Sequence, residues 1–155
     1  MTGRYTRPVT TGKEGTVHAG RAFLAGVVGA IAMSLVMAVL RAAGIPLHIE
    51  SQLATLLGTS SWLVGLTAHL LIGGLLGMVY GLAFELVLLE TGFGPGILLG
   101  AINTVLAGFI WAAIGSPGRF WSDLGPQGIM ALFIAHMTFG AVVGSVHKAE
   151  SRMLA

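Results

Sequence analysis

The stretch WLVGLTAHLLIGGLLGMVYGLAF, Trp62 to Phe84, decides the fold. It carries no Asp, Glu, Lys or Arg, and it is longer than the roughly 20 apolar residues that carry a helix across a bilayer core. Its one histidine, His69, stands in the N-terminal half, and Gly73, Gly77 and Gly81 follow at intervals of four. Four residues is slightly more than one helical turn, so the histidine and the glycines form one ridge. The chain then repeats the device. In AHMTFGAVVG, His136, Gly140 and Gly144 echo His69, Gly73 and Gly77 of AHLLIGGLLG.

The surrounding composition agrees with a membrane setting. Of 155 residues, 55% are hydrophobic and only 9% charged, with 24 glycines, whereas a soluble domain carries roughly a quarter charged residues. Four long uncharged runs separate the ionisable residues, and each contains a bilayer-length segment. The spans expected are 21–43, 62–84, 96–114 and 128–147, with a polar tail over 1–20, a four-helix membrane domain over 21–148 and a second tail over 149–155. The long polar lead and extended apolar run argue for a first span that stays, over a cleaved signal peptide. Arg4, Arg7, Lys13, Arg21, Lys148 and Arg152 lie on the side of the termini, against Arg41 and Arg119 on the other. The positive-inside rule therefore places both termini in the cytoplasm. The dispersed basic tail, with no interleaved aromatics, reads as a topology signal with no nucleic-acid partner. The absence of cysteine excludes disulfides, thiolate metal sites and a cysteine nucleophile.

Small residues recur every fourth position in the other spans too. Ala22, Gly26, Ala30, Ser34, Ala38 and Ala42 line the first, and Gly96, Gly100, Thr104, Gly108 and Ala112 the third. Such ridges let neighbouring backbones approach closely. The helix-packing residues expected are Gly26, Ala30, Ser34, Gly77, Gly100, Thr104, Gly108 and Gly144. Gly44 and Pro46 end the first span. In the outer segment 47–59, Ile49, Leu53, Leu56 and Leu57 would share one helical face opposite Glu50 and Gln52, as in an amphipathic helix on the membrane surface. Asn103 is the strongly polar residue of the third span, and it is expected to hydrogen-bond a neighbouring helix. The GFGPG turn after Thr91 lacks the preceding strand that a nucleotide-binding loop requires.

Spans one and three align without a gap at an offset of 71, pairing Gly29, Ala30, Ile31 and Leu35 with Gly100, Ala101, Ile102 and Leu106; spans two and four align at an offset of 67. The fold class expected is all-α: a polytopic membrane protein whose four transmembrane helices form two tandem hairpins. A pseudo-two-fold axis along the membrane normal would relate them and put His69 and His136 at equal depth.

Gly44 and Pro46, then His69, Gly73 and Gly77, then His136, Gly140 and Gly144 resemble the pattern of a family of uncharacterised bacterial four-helix membrane proteins, classed as a domain of unknown function. The resemblance covers about Arg21 to Lys148. It implies a multi-pass protein of the bacterial cytoplasmic (inner) membrane, and no activity.

Function is expected to be non-enzymatic, that of an accessory or scaffold subunit of a membrane complex packed through its small-residue ridges, with a homo-oligomer as another use of the same ridges. No serine sits in a nucleophile elbow, and no carboxylate at membrane depth could orient a histidine. Met33, Met37 and Met137 form no ligand spacing with the histidines, so no metal site is expected. Two alternatives rest on the histidines. One is a b-type haem held by His69 and His136, with Gly73 and Gly140 leaving room for the macrocycle. The other is transport of a small solute or proton through a cavity where they titrate.

Overall fold

The computed structural model describes residues 13–45, 47–88, 90–114 and 120–153; Pro46 and Arg119 lie outside the described residues. Helix α1 runs Lys13–Ala42, α2 Ile49–Leu56, α3 Trp62–Ala83, α4 Phe93–Ile114 and α5 Phe120–Met153, and a π-helical turn, Phe84–Leu88, extends α3. No strand occurs among the described residues. Four segments are long and apolar enough to cross a membrane: Ala19–Ala42, Trp62–Leu88, Phe93–Ile114 and Trp121–Lys148. Helix α1 starts at Lys13, within the polar tail expected over 1–20.

The packing inverts that of a water-soluble bundle. Large apolar side chains such as Leu24, Leu35, Leu63, Leu75, Leu86 and Phe109 face outward, while glycine and alanine fill the contacts between helices. In hydrocarbon nothing drives leucine inward, so helices associate by close van der Waals fit instead.

Two tight pairs result. Helix α1 meets α3 where a Cβ on Gly26 would strike the backbone of Gly73 and Gly77, and one on Gly73 would strike Ala30. Helix α4 meets α5 in the same way: Gly96 and Gly140 face each other's carbonyls, Gly100 lies on the His136 carbonyl, and Gly144 lies on Gly92. Gly108, by contrast, receives a side chain. The Trp121 ring covers it and stands edge-on to Phe109 at 6.3 Å. Trp121 belongs to a short helical segment that breaks at Gly125 (φ 62°), after which Pro126 opens the long part of α5, the first-turn position where proline loses no hydrogen bond.

The two pairs join through α1 and α5, where Gly29 admits the side chains of Phe139 and Val143. Helices α3 and α4 form no comparable packing face.

Segment α2 is a correction to the sequence reading. Glu50, expected on the polar face, is only 1% exposed. Its Oε2 accepts from Arg41 Nη1 at 2.8 Å, and Arg41 Nη1 also donates to the Leu47 carbonyl at 2.9 Å. The Glu50 backbone lies directly on Gly65 of α3. A carboxylate this deeply buried requires a cation, and the end of α1 supplies it. Leu56 and Leu57 point outward instead. The pair thus clamps α2 across the ends of α1 and α3.

Gly26→Leu is expected to destabilise the purified protein by about 1–3 kcal/mol through overpacking. Gly20→Ala, whose Cβ would meet nothing within 4 Å, should be neutral or slightly stabilising; thermal unfolding in detergent checks both. Arg41→Met should cost about 3 kcal/mol by stranding Glu50, and the double variant Arg41→Met with Glu50→Met should recover most of it.

Candidate functional site

Where α3 and α4 stand apart, a cavity of about 240 Å³ lies at the α2 end of the bundle. Each wall follows from the packing just described. Helix α3 supplies His69, Ile72 and Gly73; α4 supplies Asn103, Ala107 and Trp111; α5 supplies Leu132, His136 and Phe139. Met33 of α1 forms the back, and Ile49 and Leu53 of α2 form the roof. Toward the opposite end the bundle is closed by rings: Tyr80 packs edge-on against Phe139 at 5.3 Å and Phe84 at 6.3 Å. Ile72 and Ile110, on the two sides of the α3–α4 gap, are exposed, so the gap opens on the apolar outer surface of the bundle.

The lining is apolar except for a few groups. His69, His136 and Asn103 are 7%, 8% and 9% exposed. The His69 ring has the Ala30 backbone as its hydrogen-bonding neighbour across the α1–α3 contact, while its Nε2 is buried without a partner among the described residues. His136 Nδ1 donates to the Leu132 carbonyl of its own helix at 3.0 Å. A carbonyl can only accept, so the proton of the neutral ring sits on Nδ1 and Nε2 keeps its lone pair. Asn103 Nδ2 is buried and has no partner among the described residues, in place of the interhelical bond expected for it. Nearby, Thr104 Oγ1 donates back to the Gly100 carbonyl at 3.0 Å.

The expected haem residues separate. His69, His136 and Gly73 line the cavity. The space beside Gly140 is taken by the Gly96 backbone, and that beside Gly73 by Ala30 and the Gly26 carbonyl. Both glycines therefore make room for a helix. Of the packing residues, Gly26, Ala30, Gly77, Gly100 and Gly144 lie at backbone contacts, whereas Ser34 Oγ is buried without a partner among the described residues. Sequence reading missed Ala107 and Trp111 as cavity residues. They fall one and two turns after Asn103, on its face of α4, and that spacing is the signal that could have found them. Among the described residues no group of three His, Asp or Glu side chains converges as a metal site.

Chemically, the cavity can hold one small, largely apolar molecule and offer it an amide donor and imidazole acceptors. Filling it should show this capacity: Ala107→Phe is expected to raise the unfolding temperature by a few degrees, as about 1 kcal/mol does in a domain of this size.

No family model, no curated protein and no solved structure matches this chain.

Proposed function

We propose that this is a non-enzymatic protein of the bacterial cytoplasmic membrane that binds a small lipid-soluble molecule between α3 and α4 and serves as an accessory subunit of a membrane complex. One observation carries the reading: the cavity is apolar, opens on the apolar outer surface, and holds polar side chains without partners among the described residues. Such a site is costly to keep unless something uses its polar groups, and a concave apolar pocket with a few converging polar groups is the usual form of a ligand site. Membership of the bacterial four-helix family belongs to the same proposal, as does an arrangement with both termini in the cytoplasm.

The two-halves relation also belongs here. Pairing contact partners equates Ala22, Gly26 and Ala30 with Gly92, Gly96 and Gly100, one residue away from the register suggested by identities. Under this pairing Gly29, which admits α5 onto α1, corresponds to Leu99 of α4. The larger side chain is a physical reason for α3 and α4 to remain apart, and hence for the cavity.

The haem alternative keeps one supporting observation. His136 is oriented by its Nδ1 bond as axial ligands are. Against it stands size: a cavity of about 150 Å³ holds a benzene ring, and 240 Å³ suits one substituted ring better than a tetrapyrrole. An absorption spectrum of protein purified in mild detergent without a reduction-sensitive Soret band eliminates it. Transport has less support, because the Tyr80, Phe84 and Phe139 rings close the end away from α2.

Two measurements check the proposal. In intact cells, an impermeant thiol reagent should label Ser60→Cys and leave Thr2→Cys unlabelled, with no background because the natural chain has no cysteine; the reverse pattern contradicts the topology. Mass spectrometry of protein extracted from its native membrane should find a lipid-soluble molecule that is lost in Ala107→Phe. Equal recovery from both proteins contradicts binding in the cavity.

A further inference from the structure

We propose that the molecule bound between α3 and α4 is a hydroxylated aromatic ring of the phenol or hydroquinone class, lying between Trp111 and Phe139 with its hydroxyl directed at Asn103 and His136. The inference rests on the intramembrane binding reading and adds the chemistry of the ligand.

The polar groups decide the functional group. Asn103 Nδ2 is a donor without a partner among the described residues and needs an acceptor. His136, its Nδ1 proton committed to the Leu132 carbonyl, presents Nε2 as an acceptor and needs a donor. His69 Nε2, like Asn103 Nδ2, is without a partner among the described residues. A hydroxyl both donates and accepts, so it serves the amide and an imidazole together. An ether or ketone oxygen only accepts and leaves the imidazoles unserved. A carboxylate or ammonium would bring a charge into an apolar site that holds no counter-charge on the α3, α4 or α5 walls, at a large desolvation cost. The remaining surface decides the skeleton. Trp111 and Phe139 are aromatic walls, rings favour edge-to-face and offset neighbours over aliphatic ones, and the volume of about 240 Å³ accommodates one substituted ring. Alkyl substituents would leave through the gap between Ile72 and Ile110 into lipid.

Four probes of one carbon skeleton test this on the wild-type protein: thymol, menthol, thymol methyl ether and p-cymene. Each is added at matched mole fraction to detergent-solubilised protein and read as a shift in unfolding temperature, since a ligand of the folded state raises it by mass action. Thymol should stabilise, and the other three should need roughly tenfold higher mole fraction for the same shift, as expected for a lost hydrogen bond to a buried group or a lost ring contact. The Ala107→Phe protein should not respond to thymol. Equal potency of thymol and its methyl ether overturns the hydroxyl assignment, and equal potency of thymol and menthol overturns the ring. If all four shift the wild type alike and Ala107→Phe not at all, the ligand class is wrong and the cavity reading survives. If none shifts the wild type, or all shift both proteins alike, the cavity reading fails and the ligand class fails with it.

Discussion

Close backbone approach between helices long and apolar enough to cross a membrane is the constraint on which everything else depends. Gly26 against Gly73 and Gly77, and Gly96 against Gly140 and Gly144, leave no room for a single added methyl group. In a bilayer this matters more than in water, because burying a leucine gains nothing over leaving it in lipid. What can be gained is dispersion contact along the helices, and only small residues allow the distance. The large side chains accordingly form the outer surface, and the chain becomes two stiff helix pairs.

The interest lies in how the pairs meet. Gly29 lets α5 lay Phe139 and Val143 on α1, and that joint brings His136 of one pair to the same cavity as His69 of the other. The second joint, α3 to α4, is not made. Segment α2 packs on α3 at this end and turns Ile49 and Leu53 to the cavity, and its position depends on Arg41 and Glu50, an ion pair buried on the carboxylate side. Removing Arg41 would leave a buried carboxylate that the site cannot solvate. The roof is therefore tied to α1 by electrostatics and to α3 by shape, through Gly65.

Much of this could be read in the sequence. The four long apolar helices follow from run length and charge, and the close contacts follow from glycine at every fourth position. The histidines' equal places in the two repeated motifs pointed to a common site without showing whether they faced it. Other features had no local signal. Glu50 was placed on the outer face because Ile49, Leu53, Leu56 and Leu57 make the stronger periodic pattern. Its partner Arg41 lies on another helix, across a turn whose geometry depends on Gly44 at φ 87°. Under the proposed two-halves relation the contacts pair the repeats one residue away from the identities, because identities between small residues do not reveal which face each presents. On a helix, one residue is about 100°. Gly108 looked like its neighbours in the ridge, yet it accommodates an indole from beyond the loop. Under the proposed two-halves pairing Leu99 stands where α1 has Gly29, a contrast that no local pattern in the sequence displays.

The most direct test of the closed and open joints is diffraction from crystals grown in a lipid phase and pressurised with xenon, which enters apolar cavities. The account predicts one strong anomalous peak between α3 and α4, bordered by His69, Asn103, Trp111 and His136, with the Gly26–Gly73 and Gly96–Gly140 backbones in contact in the same map. A map with α3 and α4 packed together and no peak between them would contradict it.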